Sequence, residues 1–489
     1  MAQAQRRRNG NIGNIGNGSE CKEKELLLLR ERSDSEGQGH QQQQQQQRLN
    51  LTTRGSLNNN AKATMVTVLA MAMLLLLFYS SSTSTSTSTS TSASTSASTR
   101  ITTPSTTGTS DEALSISDAD ADAVINLDHG DPTMFEPFWK NAGDKSTVVI
   151  PGWHTMSYFS DTSNLCWFLE PDFANQVRRL HRIVGNAVTH AHHIIVGVGS
   201  TQLIHALLFA LSATDTHHPV SVVSAAPFYS MYPGITDFLK SGLFRWAGDA
   251  TSFKVNGSSS FIEIVCSPNN PDGTLRRAVL STEAGKLVHD LAYYWPQYTP
   301  MRGPADEDIM LFTVSKATGH AGTRIGWALV RDADVARRMV KFIEMNSIGV
   351  SKDSQVRAAR ILQVISDGYE LPDPDSTTRF FHFSRRLLAD RWQRLRRAVE
   401  ESGRFSLPQF SSEFCEFTKE HAETYPAFAW LRCVDESIED CEGFFKSVKV
   451  LTRSGRHFGA GPEYIRISML DRAHNFDLFV ERIASLGLG

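Results

Sequence analysis

A lysine that follows an apolar segment and lies among hydroxyl residues is the strongest chemical feature of this sequence. Ile309–Phe312 leads into Thr313, Ser315 and Lys316, and Arg324 follows eight residues later. A strand with this ending delivers a lysine to an aldehyde beside a phosphate, and a buried amine of lowered pKa suits a nucleophile that also carries a proton. A surface lysine would not explain the apolar segment. The pattern therefore indicates a lysine that binds pyridoxal 5'-phosphate (PLP) covalently.

Residues upstream supply the groups that a PLP ring requires. Asp290 ends a predicted strand, and its carboxylate would keep the pyridine nitrogen protonated so that the ring withdraws electrons. Tyr293 and Asn270 are predicted to donate hydrogen bonds to the ring hydroxyl, although Asn270 alone would also suit an ordinary turn. Tyr229 is predicted to stack on the ring, although an aromatic residue after a strand is otherwise usually core.

A phosphate site is predicted where a strand passes into a helix. Ser200 and Thr201 open that helix, where backbone N–H groups bind phosphate and the two hydroxyls add further donors. Taken alone this motif is weak, since many helices begin with such caps. Thr313, Ser315 and Arg324 would complete the cradle from the segment that carries the lysine.

Two residues are predicted to bind the substrate. Arg466 lies on an otherwise apolar strand, and a buried guanidinium needs a carboxylate partner, which an amino-acid substrate would supply with two oxygens. A structural salt bridge is the alternative role for this arginine. The backbone of Gly130 is predicted to lie near the same carboxylate.

Composition excludes several classes of function. The chain has 489 residues, more than one ordinary domain needs, and a net charge of −3, which does not suggest a nucleic-acid partner. None of the six cysteines stands in a C-x-x-C pair, so neither a metal site nor a disulfide scaffold is indicated. Unpaired buried thiols are expected, although Cys433 and Cys441 could pair in an oxidising compartment.

The amino-terminal quarter has a composition unlike the rest. Residues 1–62 are predicted to be a disordered polar leader, 63–79 a single transmembrane anchor, and 80–110 a Ser/Thr-rich linker. Basic residues precede the apolar segment, which favours a cytosolic amino terminus and a membrane protein of the endoplasmic reticulum. A cleaved signal peptide or a plastid transit peptide are alternatives, and a plastid or cytoplasmic location remains open.

Alternating strands and helices after residue 110 predict an α/β fold with a large, mostly parallel sheet. Residues 111–184 form a first segment of the catalytic region, 185–349 the large PLP-binding domain, and 350–489 a smaller α+β domain. Strands are predicted at 193–198, 219–224, 261–265, 286–290, 309–314, 327–330, 428–433, 448–452 and 464–468. Helices are predicted at 203–211, 352–368 and 378–402.

Several longer motifs resemble the plant alliinase and tryptophan aminotransferase-related family, within the fold-type I PLP enzymes typified by aspartate aminotransferase. These motifs are Met156–Ser160, Cys166–Pro171, Gly199–Gln202, Ala226–Ser230, Ser267–Gly273, His289–Trp295, Ser315–Gly322, Asn346–Lys352 and Ile465–Arg472. The resemblance covers the chain from about residue 123 to its end. It implies a homodimer with active sites at the interface, in which Tyr158 reaches the PLP phosphate from the neighbouring subunit.

The same resemblance divides two activities. Alliinases cleave the C–S bond of cysteine sulfoxides and carry a cysteine-rich module before the PLP domain, whereas residues 80–140 here contain no cysteine. The resemblance therefore implies the other branch, which transaminates tryptophan with a 2-oxo acid such as pyruvate to indole-3-pyruvate in auxin biosynthesis. A C–S lyase is the alternative. An inactive membrane-anchored binding protein is disfavoured by the intact candidate site.

One stretch departs from that family. Trp153 and His154 are bulky residues just before the Met156–Ser160 motif, where they are not typical of the family. They could alter the substrate pocket.

Overall fold

The computed structural model describes residues 123–212, 218–255, 260–280, 285–371 and 379–487. The predicted leader, the transmembrane segment at 63–79 and the Ser/Thr-rich linker lie outside these residues. Within the described ranges, no helix combines the length and the apolar character needed to cross a membrane.

The strands are short and are spread along the whole described chain. In chain order they are β1 (Ile125–Asn126), β2 (His193–Gly197), β3 (Val220–Ser224), β4 (Phe244–Asp249), β5 (Phe261–Cys266), β6 (Gly285–Asp290), β7 (Ile309–Thr313), β8 (Gly326–Val330), β9 (Phe405–Ser406), β10 (Glu413–Cys415), β11 (Glu420–Ala422), β12 (Phe428–Cys433), β13 (Val450–Leu451), β14 (Arg453–Ser454) and β15 (Tyr464–Ser468).

The helices alternate with these strands through the first half and then lengthen. They are α1 (Glu136–Ala142), α2 (Pro171–Val184), α3 (Gly199–Leu211), α4 (Tyr232–Phe238), α5 (Val314–Ala317), α6 (Ala333–Ser347), α7 (Lys352–Glu370), α8 (Phe380–Ser402), α9 (Cys441–Ser447) and α10 (Ala473–Ala484). Their ends follow the usual chemistry. Pro171 opens α2, and the carboxylate of Asp332 accepts hydrogen bonds from the first amides of α6.

Seven strands form the larger sheet, in the order β2–β8–β7–β6–β5–β3–β4. The pairs from β7 through β4 are parallel, and β8 runs antiparallel to both its neighbours. Every residue of β5, β7 and β8 is buried, as expected for a sheet covered by helices on both faces. The predicted α/β fold with a mostly parallel sheet is confirmed.

A smaller antiparallel sheet, β14–β15–β12–β9, lies in the carboxyl-terminal part of the chain. The first described strand also joins this part, since β1 pairs in parallel with β13. As a result, the loop after β1 lies beside β15, because the amide of Ser468 donates to the carbonyl of Leu127 at 2.9 Å. The first described strand and the carboxyl-terminal strands therefore belong to the same part of the fold.

Most predicted strands and helices agree with the structure to within a few residues, with one informative exception. The strand predicted at 448–452 is wrong in form, because the chain makes β13, passes Thr452 and then makes β14. β13 pairs with β1, whereas β14 pairs with β15, so the chain changes sheets at Thr452. The apolar pattern of the segment carries no mark of that change. β4 was missed because Arg245, Gly248 and Asp249 interrupt its apolar pattern.

The cysteines differ from the main expectation at one pair. Cys433 and Cys441 form a disulfide with a Cα–Cα distance of 5.8 Å, so the expectation that both are unpaired is wrong. This bridge joins the end of β12 to the first residue of α9. The thiols of Cys166, Cys266 and Cys415 are free and buried, as expected.

A buried acid fixes the connection that follows β5. Glu263 is almost fully buried in the middle of that strand, and its two oxygens accept the backbone amides of Val279 and Leu280 at 2.8 and 2.9 Å. A buried carboxylate that accepts two N–H groups is fully satisfied only while it remains an acceptor at both oxygens.

We expect Glu263→Gln to lower the free energy of unfolding by about 1–3 kcal/mol, since one new N–H₂ group would face a backbone donor. The thermal midpoint should fall, as measured by circular dichroism. Glu436→Gln is the matched control, because Glu436 is exposed on a loop and should leave the midpoint unchanged. An equal midpoint for the two variants would contradict this role of Glu263.

Candidate active site

A cavity of about 180 Å³ lies at the edge of the larger sheet where β3, β5, β6 and β7 end. Ten predicted site residues line it together: Ser200, Thr201, Tyr229, Asn270, Asp290, Tyr293, Thr313, Ser315, Lys316 and Arg324. Four wall residues were not predicted, namely Gly199, Cys266, Ala292 and Ala321. All four lie next to or shortly after predicted strands or site residues. Their small side chains do not suggest a catalytic or binding role in the sequence.

Lys316 lies on the single turn α5, directly after β7. Its Nζ donates to the carbonyl of Gly130, and its own carbonyl accepts from Gln297 and from the Tyr298 hydroxyl, each at 3.1 Å. Burial, aided by the Arg466 guanidinium, lowers the pKa of Lys316 to about 8. The hydrogen bond therefore holds the amine in place, and the lowered pKa leaves part of the amine population uncharged near neutral pH.

Asp290 is a buried carboxylate at the end of β6. Its oxygens accept from the Tyr232 hydroxyl at 2.8 Å and from the amide of Ala292 at 3.2 Å. Burial raises the pKa of Asp290, against the lowering effect of the Tyr232 hydrogen bond. Within the described residues it forms no salt bridge. A protonated ring nitrogen in the cavity fits this carboxylate, since a buried charge needs a partner of opposite sign.

Tyr232 is a functional residue that the sequence patterns did not reveal. It lies on α4, is fully buried, and fixes the orientation of Asp290. Nothing near Tyr232 in sequence marks this contact, because the two residues are 58 positions apart.

The cradle predicted for a phosphate is built by close backbone approach. Gly199 begins α3 with φ +71°, and a Cβ there would lie 2.8 Å from Nη2 of Arg324. A Cβ on Gly326 would lie 2.8 Å from the backbone nitrogen of Ser200. A guanidinium and the free amides of a helix start therefore meet at one point, which fits a phosphate dianion.

Asn270 connects the larger sheet to Arg466 on the smaller one. Its amide group lies 3.5 Å from the Tyr293 hydroxyl, and its carbonyl oxygen accepts from Nη1 of Arg466 at 3.2 Å. Nη2 of Arg466 donates to the backbone carbonyl of Asp128, while Nε is buried without a partner among the described residues. Among the described residues, Arg466 therefore has no carboxylate partner within hydrogen-bond distance, and the alternative role in a structural salt bridge gains no support.

Arg466 is enclosed on its other sides by ring faces and a second cation. Its guanidinium carbon lies 4.1 Å from the centre of the Phe428 ring. Burial, with the nearby Arg453, lowers the pKa of Arg466 to about 10. The guanidinium stays charged at neutral pH and is available to an anion.

The loop that carries Gly130 is held by a pair that the sequence patterns also missed. Arg453 is opposite Arg466 on the neighbouring strand, and its Nε donates to the Asp128 carboxylate at 2.6 Å. A Cβ on Gly130 would lie 2.9 Å from Phe428 and 3.2 Å from Nζ of Lys316. Only glycine fits there, so this loop presents its backbone to the lysine.

Three predicted site residues do not line the cavity. Gly130 and Arg466 contact lining residues, through Lys316 and Asn270, whereas Tyr158 does not. Its side chain is 70% exposed and lies near residues 347–353. Trp153 is 72% exposed, and the imidazole of His154 lies 3.4 Å from Glu170. Neither of these two residues lines the cavity of its own chain.

The family model described as Allinase matches residues 125–487. The chain belongs to the allinase family. It is similar to tryptophan aminotransferase-related protein 2 of Oryza sativa subsp. japonica, with 61% identity over 376 residues, 74% of each chain. It is 54% identical over 363 residues to tryptophan aminotransferase-related protein 2 of Arabidopsis thaliana, covering 74% of this chain and 81% of the relative. Alliin lyase of Allium cepa is 37% identical over 359 residues, 71% of this chain and 73% of that one.

Solved structures share the fold of this allinase family member. The aspartate aminotransferase of Thermotoga maritima matches with a TM-score of 0.51 and 16% identity, over 74% of this chain and 92% of that one. YbdL from Escherichia coli, titled as having a methionine aminotransferase function, matches with a TM-score of 0.52 and 15% identity. The match covers 74% of this chain and 94% of that one. The fold is therefore aspartate aminotransferase-like, of the fold-type I class that PLP enzymes use.

The lowered pKa of Lys316 predicts how the cofactor-free protein should react with PLP. The rate of PLP uptake should rise with pH and level off above a midpoint of about 8, because the neutral amine is the nucleophile. The growth of visible absorbance measures this rate.

Free Nα-acetyl-lysine is the control, since an ordinary lysine has its midpoint near 10.5. A rate for the protein that still climbs beyond pH 10, as the control does, would show that burial leaves the amine unperturbed.

Proposed function

We propose that this chain is a PLP-dependent aminotransferase that converts L-tryptophan and a 2-oxo acid such as pyruvate into indole-3-pyruvate and the matching amino acid. The observation that carries the proposal is a single cavity lined by an amine of lowered pKa, Lys316, and a buried unpaired carboxylate, Asp290. The tryptophan aminotransferase-related proteins named above support the choice of amino acid.

The side chains would divide the work between cofactor and substrate. PLP, when bound, supplies an aldehyde for the amino group and a ring that withdraws electrons. Asp290, fixed by Tyr232, would hold the proton on the ring nitrogen. Nζ of Lys316 would take the proton from the substrate α-carbon and deliver it to the carbon that entered as the PLP aldehyde, since its lowered pKa suits both directions.

The substrate carboxylate would bind between the two sheets. Arg466 offers a guanidinium whose Nε has no partner among the described residues, and the Gly130 carbonyl accepts from the lysine amine. The carbonyls on Asn270 and Asp128 fix the plane of the guanidinium, so the carboxylate meets a preset geometry.

The proposal includes a homodimer in which Tyr158 completes the phosphate cradle of the neighbouring subunit. Support comes from the exposure of Tyr158 together with Trp153, Met156 and Phe159, since large apolar side chains this exposed are typical of an interface. A single-pass anchor at 63–79 and a location in the endoplasmic reticulum also belong to the proposal, and rest on the sequence alone.

Product analysis separates the two activities of the family. Purified protein given L-tryptophan and pyruvate should form indole-3-pyruvate and alanine in equal amounts, detected by mass spectrometry. Given alliin, it should release little pyruvate. Lys316→Ala should lose both the visible absorbance of bound PLP and the reaction. Rapid pyruvate release from alliin, with no indole-3-pyruvate from tryptophan, would instead make the protein a C–S lyase.

Asp290→Asn should keep the shape of the cavity but remove the charge opposite the ring nitrogen. We expect PLP to bind, and turnover to fall by at least about 100-fold, the usual contribution of a positioned proton-holding group. Asp308→Asn is the control, since Asp308 is highly exposed and pairs only with Arg331. Near-normal turnover in Asp290→Asn would refute its role.

Arg466→Lys should keep the charge and lose the forked geometry. We expect KM to rise about 10- to 100-fold for both the amino acid and the oxo acid, as for the loss of a charged hydrogen bond, with the PLP content unchanged. Arg432→Lys, on the exposed face of neighbouring β12, is the matched control. If only the PLP content changed, Arg466 would be a structural residue.

A further inference from the structure

A second and larger cavity lies away from the candidate active site, where α1, α7 and the start of α8 meet. Its volume is about 470 Å³, within the range that small organic ligands occupy. Apolar side chains form much of its wall, including Phe138, Val364, Leu371 and Phe380. The rings of Phe138 and Phe380 stand edge to face with centres 5.0 Å apart, so the wall offers an aromatic surface.

Three cations also line this cavity, and none of them is neutralised within the described part of the chain. Lys145 is exposed, Arg360 donates only to the amide oxygen of Gln363 at 2.9 Å, and Arg379 contacts the Tyr369 ring. Both arginines line the cavity, so a ligand there could engage their N–H donors.

The cavity has one acidic lining residue, and that residue is already paired. Asp367 accepts from Arg179 at 2.7 Å, on the neighbouring helix α2. The lining residues that the structure describes therefore carry a net positive charge. An apolar wall beside uncompensated cations selects an amphipathic anion rather than a cation or a neutral sugar.

We propose that this cavity is a binding site for a small aromatic monocarboxylate, with the ring against Phe138 and Phe380 and the carboxylate on Arg360 and Arg379. Guanidinium groups bind carboxylates through paired N–H donors, and Arg360 and Arg379 both line the cavity. Lys145 adds charge at the rim. This goes beyond the proposed transamination, because no lining residue is shared with the Lys316 cavity.

The position of the site suits an effector rather than a substrate. Phe138 packs on Trp139 at 5.1 Å between ring centres, and the Trp139 indole donates to the carbonyl of Thr318 at 2.9 Å. Thr318 is two residues beyond the lysine that lines the other cavity. A ligand on Phe138 is thus one packed side chain away from the lysine-bearing segment.

Binding of para-fluorophenylacetate to the holoenzyme, followed by fluorine NMR, tests the site. Because Arg466 could bind the same probe, Arg466→Gln removes the candidate active site as a source of signal. We expect Arg466→Gln to retain binding, and Arg360→Gln/Arg379→Gln in that background to weaken it at least about 10-fold. Arg337→Gln, an exposed cation on α6 paired with Asp334, is the matched control and should bind normally.

Three outcomes would overturn the proposal. They are no binding to Arg466→Gln at millimolar probe, unchanged affinity in the Arg360→Gln/Arg379→Gln variant, and equal affinity for the neutral para-fluorophenylacetamide. The thermal midpoint of this variant is measured beside its affinity, and a midpoint close to that of Arg466→Gln shows that lost binding is not lost folding. The readout is binding without turnover, so failure of the proposed reaction would leave this result intact.

Discussion

The rest of the candidate site depends on charges that are buried without an oppositely charged partner among the described residues. There Asp290 is held by a hydroxyl and an amide, and Arg466 by two carbonyl oxygens and ring faces. Lys316 reaches a carbonyl. Burial without neutralisation is unfavourable, and ordinary folds avoid it. A sequence that keeps a carboxylate, a guanidinium and an amine in this state is suited to a ligand that carries the complementary charges.

The loop between β1 and α1 keeps those charges at fixed separation. The lysine belongs to the larger sheet and the arginine to the smaller one, so their spacing depends on how the two sheets meet. The loop contacts both, through the Asp128 carbonyl to Arg466 and the Gly130 carbonyl to Lys316. Arg453 then anchors the loop by its ion pair with the Asp128 carboxylate. β1 itself pairs with β13, which precedes β14 in the chain, so the loop is held at its start by a strand and at Asp128 by Arg453.

What the sequence could predict was local. Asp290 ends one predicted strand and Lys316 follows another, and parallel strands bring such ends to one edge, so their meeting follows from pattern alone. Arg466 was visible as a charge on an apolar strand. The contact of Tyr232 with Asp290 and that of Arg453 with Asp128 span 58 and 325 residues, and neither residue has an unusual neighbourhood in sequence. Such pairs depend on the arrangement of whole elements, which periodicity does not encode.

Three glycines are also hard to assign from sequence, since they shape the site by lacking a side chain. Gly199, Gly326 and Gly130 lie where a Cβ would meet Arg324, the Ser200 amide or the lysine amine at about 3 Å. At each of them the missing side chain lets the backbone approach a charged or polar group closely. Gly199 thereby meets Arg324 at the helix start and Gly130 meets Lys316, so groups that would contact a ligand are in position before binding and little reorganisation is needed. The glycine positions, which have no side chain, therefore shape the site as much as the charges around it do.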